Sequence, residues 1–194
     1  MKTSTDLVRC KWCTKDEIYI KYHDLEWGVP LHNDQKLFEL LVLEGAQAGL
    51  SWLTVLKRRQ SYRNAFNNFN ISQVSRFGKT QINQLMTDSG IIRNRLKILS
   101  VIKNAQSMLR IQKEFGSFDN YLWQYVRNIP ISHGDINNSL LDNSKNIASS
   151  LSKDLREQGM NFVGPTICYA FMQANGMVND HSTNCFRYKQ LFQK

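Results

Sequence analysis

Residue types that bind metals stand at both ends of this chain: Cys10-x2-Cys13 and His23 near the start, and His181-x3-Cys185 near the finish. A structural zinc takes four Cys or His ligands in a closed tetrahedron. A set drawn from both groups would require the ends of a 194-residue chain to meet, and the ion would staple them together. Five candidates for four places leave the set open, and Cys10-x2-Cys13, although it looks like a zinc knuckle, is a spacing that also arises by chance. The alternative is a group of buried thiols and ordinary histidines. Disulfides are disfavoured: Met1 to Leu7 is polar and reads as no signal peptide, so the chain is expected in the cytosol, where thiols stay reduced. Cys168 falls in an apolar helical segment and reads as a core thiol.

Between these ends the pattern is helical. Thr14-Lys15-Asp16-Glu17 has capping-box spacing, with Thr14 as the cap, and predicts a short helix carrying Tyr19, Tyr22 and His23 on one face, stopped by Gly28-Val29-Pro30. A second helix should begin near Asn33-Asp34 and run towards Gly49. Ser51 can cap a third, from Trp52 to about Phe66, with Lys57, Arg58, Arg59 and Arg63 on its surface. A further helix over about 80–87 meets a tight turn at Ser89-Gly90-Ile91-Ile92, followed by a long basic helix opening with Arg93-Asn94-Arg95-Leu96-Lys97. Phe118 to Val126 reads as another helix, Asn128 to Asn146 as a long loop, and Ile147, Leu151 and Leu155 as a helical stripe ending at Gly159. Gly164-Pro165 opens the last clear helix, and Gly176 lies just past its end. No strand period persists, so the fold class is all-α, as one domain over residues 1–194 without a linker.

Formal net charge is +9, which favours a polyanionic partner, because lysine and arginine placed on phosphates release condensed counterions. A merely basic soluble surface is the plainer alternative. An anionic membrane fits less well: the basic residues are scattered, no single basic amphipathic helix stands out, and no apolar run approaches the roughly twenty residues that span a bilayer. The segment over about 80–114 has the form of a helix-hairpin-helix, in which Gly90 permits a close turn and backbone N–H groups at the turn and at the next helix start can grip a phosphate.

Trp12, Tyr19, Tyr22, Trp27 and Trp52 crowd the first quarter of the chain. Such clusters are ordinarily core, but planar aromatics also serve a base extruded from a duplex, since stacking replaces the stacking it loses. On the second helix Leu37, Leu41, Glu44 and Ala48 share a stripe, which puts a carboxylate where periodicity expects an apolar group. Burying Glu44 without a partner would be costly, so it should face a polar pocket, a donor or a cation.

Longer motifs join these features: Arg9-Cys10-Lys11-Trp12, Tyr22-His23-Asp24-Leu25-Glu26-Trp27-Gly28-Val29-Pro30, Leu43-Glu44-Gly45-Ala46-Gln47-Ala48-Gly49-Leu50-Ser51-Trp52, Gly90-Ile91-Ile92-Arg93-Asn94-Arg95, Phe162-Val163-Gly164-Pro165-Thr166 and Val178-Asn179-Asp180-His181. Over nearly its whole length the chain resembles the 3-methyladenine DNA glycosylase I group of the helix-hairpin-helix superfamily. The resemblance implies one structural zinc per chain on Cys10, His23, His181 and Cys185, with Cys13 a bystander. It implies a base pocket from Trp12, Tyr22, Glu44 and Trp52, supported by Tyr19 and Trp27, and a wedge of Gly49 and Leu50 that fills the gap left by a flipped nucleotide.

The expected activity is excision of 3-methyladenine from double-stranded DNA by a monomer, with Glu44 as the catalytic carboxylate and an abasic site as product. Gly90, Arg93, Arg95 and Lys97 are expected on phosphates, which position DNA without reading sequence. Three rivals are a bifunctional glycosylase and lyase using Lys97 as a Schiff-base nucleophile, a zinc-stapled DNA-binding module without catalysis, and a zinc hydrolase.

Overall fold

The run Leu37-Phe38-Glu39-Leu40-Leu41-Val42-Leu43-Glu44 is too continuously apolar for a helix with one wet face, and the computed structural model, which describes residues 7–133 and 138–192, surrounds it with other elements. This helix, α2 (Asp34–Gln47), is buried at every position from Leu37 to Ala46. The single apolar stripe expected from its periodicity is therefore corrected: the whole circumference is inside, and Glu39 is buried as well as Glu44. Asn33 caps it by accepting the Lys36 amide at 3.0 Å. Asp34 reaches sideways to accept the Phe118 and Asp119 amides, both at 2.9 Å, and so caps a second helix from a distance.

Before α2 comes α1 (Glu17–Leu25), capped by Asp16, whose Oδ1 accepts the Ile18 amide at 3.2 Å. The expected Thr14 cap is thus displaced: Asp16 lies next to the first helical residue, while Thr14 bonds the Asp16 amide instead. After α2 the expected third helix is split into α3 (Trp52–Leu56), capped by Ser51, and α4 (Arg59–Ala65). Short α5 (Ile71–Val74) leads to α6 (Lys79–Thr87), a tight connection, and the long α7 (Arg95–Phe115), capped by Asn94.

Helix α8 (Phe118–Trp123) continues as a 3-10 turn, and β1 (Ile131–Ser132) follows. Helix α9 (Asn138–Glu157) occupies much of the stretch expected as loop, and α10 (Pro165–Ala174) packs against both α9 and α2. β2 (Val178–Asn179) pairs in parallel with β1, a two-residue ladder that sequence periodicity gave no sign of, and α11 (Phe186–Phe192) closes the described chain. Phe186 N donates to Val8 O at 2.9 Å, so the chain ends do meet. Among the described residues no helix is long and apolar enough to cross a membrane.

Candidate functional site

A cavity of about 520 Å³ opens beside the C-terminal half of α2. Trp12 comes from the N-terminal segment, Tyr19 and Tyr22 from α1, Trp27 from the turn after it, Glu44 and Gln47 from α2, and Trp52 from the first position of α3. The aromatic rings brace one another. Trp12 meets Trp27 edge-on with centroids 4.9 Å apart and Tyr19 at 5.3 Å, while Tyr22 and Trp52 are 5.3 Å apart. All six residues expected in a base pocket therefore border one space.

Glu44 is 5% exposed, and among the described residues its carboxyl group has no hydrogen-bond or ion-pair partner. Burial alone pushes its pKa up to about 8, since a charge withdrawn from water without a counter-ion is disfavoured. Tyr22 is 3% exposed, and burial, followed by the nearby Glu44, holds its hydroxyl well above the usual phenol range. Trp52 carries a buried indole N–H with no partner among the described residues. Unpaired buried polar groups cost roughly 1–3 kcal/mol each, so the Glu44 carboxyl and the Trp52 N–H around one cavity mark a site kept ready for a guest.

The same cavity is also lined by a network to which the sequence motifs gave no role, although they contain Asp180. Asp180 accepts from Tyr169 Oη at 2.6 Å, from Gln173 Nε2 at 2.6 Å and pairs with His133 Nδ1, whose Nε2 meets Ser144 Oγ at 2.9 Å. His133 lay hidden in a stretch expected as loop. Asp180 was visible as the residue before His181, but nothing in its spacing gave it a task.

Behind the aromatic wall, Cys10, His23, His181 and Cys185 bring their ligand atoms within 4.8 Å of one another, all four buried. Sulfur–nitrogen separations are 3.4 Å for Cys10–His181 and 3.5 Å for both Cys185–His23 and Cys185–His181. Two ligands of a tetrahedral zinc with ordinary bond lengths lie about 3.6 Å apart, so the spacing fits an ion at the centre. The outer hydrogen bonds fit as well. His23 Nδ1 meets Asp24 Oδ1 at 2.7 Å and His181 Nε2 donates to the Trp27 carbonyl at 3.0 Å, which turns the remaining ring nitrogens inward as lone pairs. Arg9 grips Asp24 with two nitrogens. Hydrogen bonding from Cys185, then from His181 and His23, pulls the Cys10 thiol strongly towards thiolate. These four residues can hold a metal ion. Cys13 stands outside, its sulfur near the Thr14 and Tyr19 carbonyls, and Cys168 is a core thiol whose pKa burial pushes up to about 12.

The cluster and the cavity share a wall. His181 lines the cavity and sits 4.5 Å from Trp27 edge-to-face, and His23 sits 5.2 Å from Trp12.

Away from the cavity, Gly49 has φ +79 and Leu50 after it is 40% exposed. Gly90 is required by contact rather than by torsion: a Cβ there would lie 2.8 Å from Ser61 Cβ on α4. The amides of Gly90 and Ile92 already donate to Asp88 Oδ1 and Tyr62 Oη, so they are not free for a phosphate as expected. Arg93 and Arg95 are exposed beside them. Lys97 points elsewhere, its Nζ donating to the carbonyls of Ala46 and Ala48.

The profile of the family described as methyladenine glycosylase matches residues 12–188. DNA-3-methyladenine glycosylase 1 of Escherichia coli (strain K12) is 44% identical over 180 residues, which are 93% of this chain and 96% of the relative. A crystal structure of 3-methyladenine DNA glycosylase I superposes with a TM-score of 0.87 at 43% identity, covering 92% of this chain and 98% of that one. A variant of 3-methyladenine DNA glycosylase I solved in complex with 3-methyladenine superposes with a TM-score of 0.83 at 35% identity, over 92% and 96% of the two chains.

Proposed function

This chain belongs to the methyladenine glycosylase family, and from that membership we propose that it is a base-excision repair enzyme that flips 3-methyladenine out of double-stranded DNA and hydrolyses its N-glycosidic bond. The observation that carries the reading is Glu44, a buried carboxyl group in an aromatic cavity with no partner among the described residues.

While attached to the sugar, the alkylated base is a cation. Breaking the C1′–N bond returns the electron pair to the base, which leaves neutral, and the sugar becomes oxocarbenium-like. Water supplies oxygen to C1′ and gives its proton to solvent, leaving an abasic site. No strong general acid is needed, because the lesion's own charge weakens the bond. The protein must extrude the nucleotide, hold a cation against indole faces and favour positive charge in the transition state. Glu44 is suited to accept a hydrogen bond from the base and, once ionised, to supply negative charge, while Tyr22 offers a second polar contact and Trp52 a stacking face. Ordinary adenine, being neutral, gains less.

A monofunctional reaction is supported by the cavity wall, which includes no lysine among the described residues, and by Lys97, whose Nζ is held by carbonyls. The ion suited to the Cys10, His23, His181 and Cys185 set is zinc in a structural role, since four protein ligands leave no position for a reacting water. We read α6, the Asp88–Asn94 connection and α7 as the helix-hairpin-helix, with Arg93 and Arg95 on phosphates and Gly49 and Leu50 as the wedge. The enzyme would act as a cytosolic monomer on the chromosome. A DNA-binding module without catalysis would have no use for the cavity or for an unpaired carboxyl inside it.

Methylated duplex DNA incubated with the protein should release 3-methyladenine and leave alkali-labile sites, with no adduct trapped by borohydride. Absence of released 3-methyladenine refutes the reading, and a trapped adduct lost in Lys97→Ala replaces monofunctional by lyase chemistry.

A further inference from the structure

Lys97 stands in the first turn of α7, beside the exposed Arg93 and Arg95, and it bonds away from them. Its Nζ donates to Ala46 O at 2.8 Å and to Ala48 O at 2.7 Å. Ala46 belongs to the last turn of α2 and Ala48 is its C-terminal cap. A helix ends with carbonyls that have no internal partner and with partial negative charge, and a lysine there satisfies both. Among the described residues no carboxylate pairs with Lys97, and the two carbonyls at the end of α2 accept from its Nζ.

The carbonyls it holds lie between two functional groups. Glu44 precedes Ala46 by two residues, and the Gly49 turn, at φ +79, follows Ala48 directly and delivers exposed Leu50. Within the turn the Leu50 amide bonds Gln47 O at 2.6 Å, but a Cβ built at Gly49 meets nothing within 4 Å, so no neighbouring wall fixes the turn there. Lys97 therefore ties the start of the basic helix to the base of the turn that presents Leu50.

We infer that Lys97 is a positioning residue: by capping α2 from α7 it fixes Leu50 relative to the phosphate-gripping hairpin, so that gripping the strand and filling the gap left by the flipped nucleotide share one geometry. The inference rests on the glycosylase reading above. It makes Lys97 neither a phosphate contact nor a nucleophile.

The test compares wild type, Lys97→Met and Lys97→Arg under single-turnover conditions, on methylated duplex and on the same methylated strand alone. A single strand has no opposing stack to wedge apart. Lys97→Met should lose roughly ten- to a hundredfold in duplex excision, as a displaced positioning element does, and keep single-strand excision and free 3-methyladenine affinity within about twofold. Lys97→Arg, which keeps a cation able to reach both carbonyls, should recover most of the loss and supplies a folded reference. In a Leu50→Ala background the Lys97→Met loss should largely vanish, because the two residues act as one unit. The logarithmic salt dependence of DNA binding should not change. A slope shallower by about one unit would make Lys97 a phosphate contact and overturn the inference. Equal losses on both substrates, or full duplex activity, would overturn it too. If wild type itself releases no 3-methyladenine from either substrate, the glycosylase reading has failed and this inference falls with it.

Discussion

Glu39 and Glu44 lie on the same helix, both buried, and only Glu39 is paired: Arg63 approaches its Oε1 within 2.8 Å and Arg59 bonds the same oxygen, whereas Glu44 has no partner among the described residues. The same residue type in the same helix thus serves opposite ends. Removing the Glu39 charge leaves Arg59 with Glu26 and Arg63 partly in water, so Glu39→Gln should destabilise the fold by about 1–3 kcal/mol. Glu44→Gln removes an uncompensated group and should leave stability unchanged or raise it. For excision the order reverses. Glu44→Gln should cost roughly tenfold to a thousandfold, as one charge-assisted contact of about 1.5–3 kcal/mol plus some electrostatic loss would, while folded Glu39→Gln stays near wild type. Chemical denaturation with single-turnover kinetics checks both, and wild-type excision by folded Glu44→Gln would return Glu44 to an unexplained polar residue.

The raised pKa of Glu44 makes the same contrast depend on pH. Below its ordinary value of 4.5 the carboxyl is protonated in folded and unfolded chains alike. Between 4.5 and about 8 the folded protein keeps a proton that the unfolded chain has released. Stability contributed by this group therefore falls as pH rises through that window, in total by something on the order of a few kcal/mol. Denaturation midpoints at each end of the window should show the fall in wild type and a flatter trend in Glu44→Gln. Excision should run the other way, because a cationic lesion needs the carboxylate. The kcat/KM profile should climb towards about pH 8 in wild type, and that limb should be absent in Glu44→Gln. Tyr19 and Tyr22 do not confuse the profile, since burial moves both hydroxyls upward, away from the window.

Metal content should follow the geometry of the cluster. Purified protein is expected to carry one zinc per chain, Cys10→Ser and His181→Ala should lose it together with thermal stability, and Cys13→Ser should keep both. Asp24→Asn, which loosens the His23 ring without touching a ligand atom, should lower zinc affinity about ten- to a hundredfold. Because His181 and Trp27 are in contact, chelation should also weaken 3-methyladenine binding before the chain unfolds globally. Stoichiometric zinc in Cys10→Ser would refute this ligand set.

Helices with one residue competent to cap and a clean boundary were readable: Ser51 caps as expected, α2 starts beside Asn33 as expected, and Gly159 and Gly176 fall past helix ends with positive φ, whereas Asn94, read as lying inside the basic helix, is its cap. Thr14 misled because two acceptors stood near one helix start and the nearer won. The later turns of α9 were readable from Ile147, Leu151 and Leu155, but its first turns were hidden, because the buried position there is Ser144 and hydrophobic periodicity fades just where the helix begins. The cavity's aromatic half could be read because large rings crowded in one stretch have few uses. Its other half could not: His133, Gln173 and Asp180 are brought together by the β1–β2 pairing and by α10, contacts between distant segments that no local pattern records.

The hairpin offers a separation of grip from architecture. Arg93 and Arg95 are exposed, so replacing either by alanine should reduce the logarithmic salt slope of DNA binding by about 0.9, similarly for every duplex sequence, with stability kept within about 0.5 kcal/mol. Gly90 sits in the same turn and should behave differently. An added methyl group would stand 2.8 Å from Ser61 Cβ and 3.0 Å from Asp88 Oδ1, the atom that accepts the Gly90 amide. Gly90→Ala must push the turn off α4, at about 1–3 kcal/mol, and should weaken DNA binding by moving both arginines at once while leaving the salt slope per bound complex close to normal. Ser61→Gly removes the clashing side chain. Combined with Gly90→Ala it should recover binding even though glycine costs α4 about 1 kcal/mol of helix stability, so a double-mutant cycle should show favourable coupling. If Gly90→Ala instead binds DNA like wild type and folds as well, the turn is not held by its contact with α4, and the requirement for glycine there has another cause.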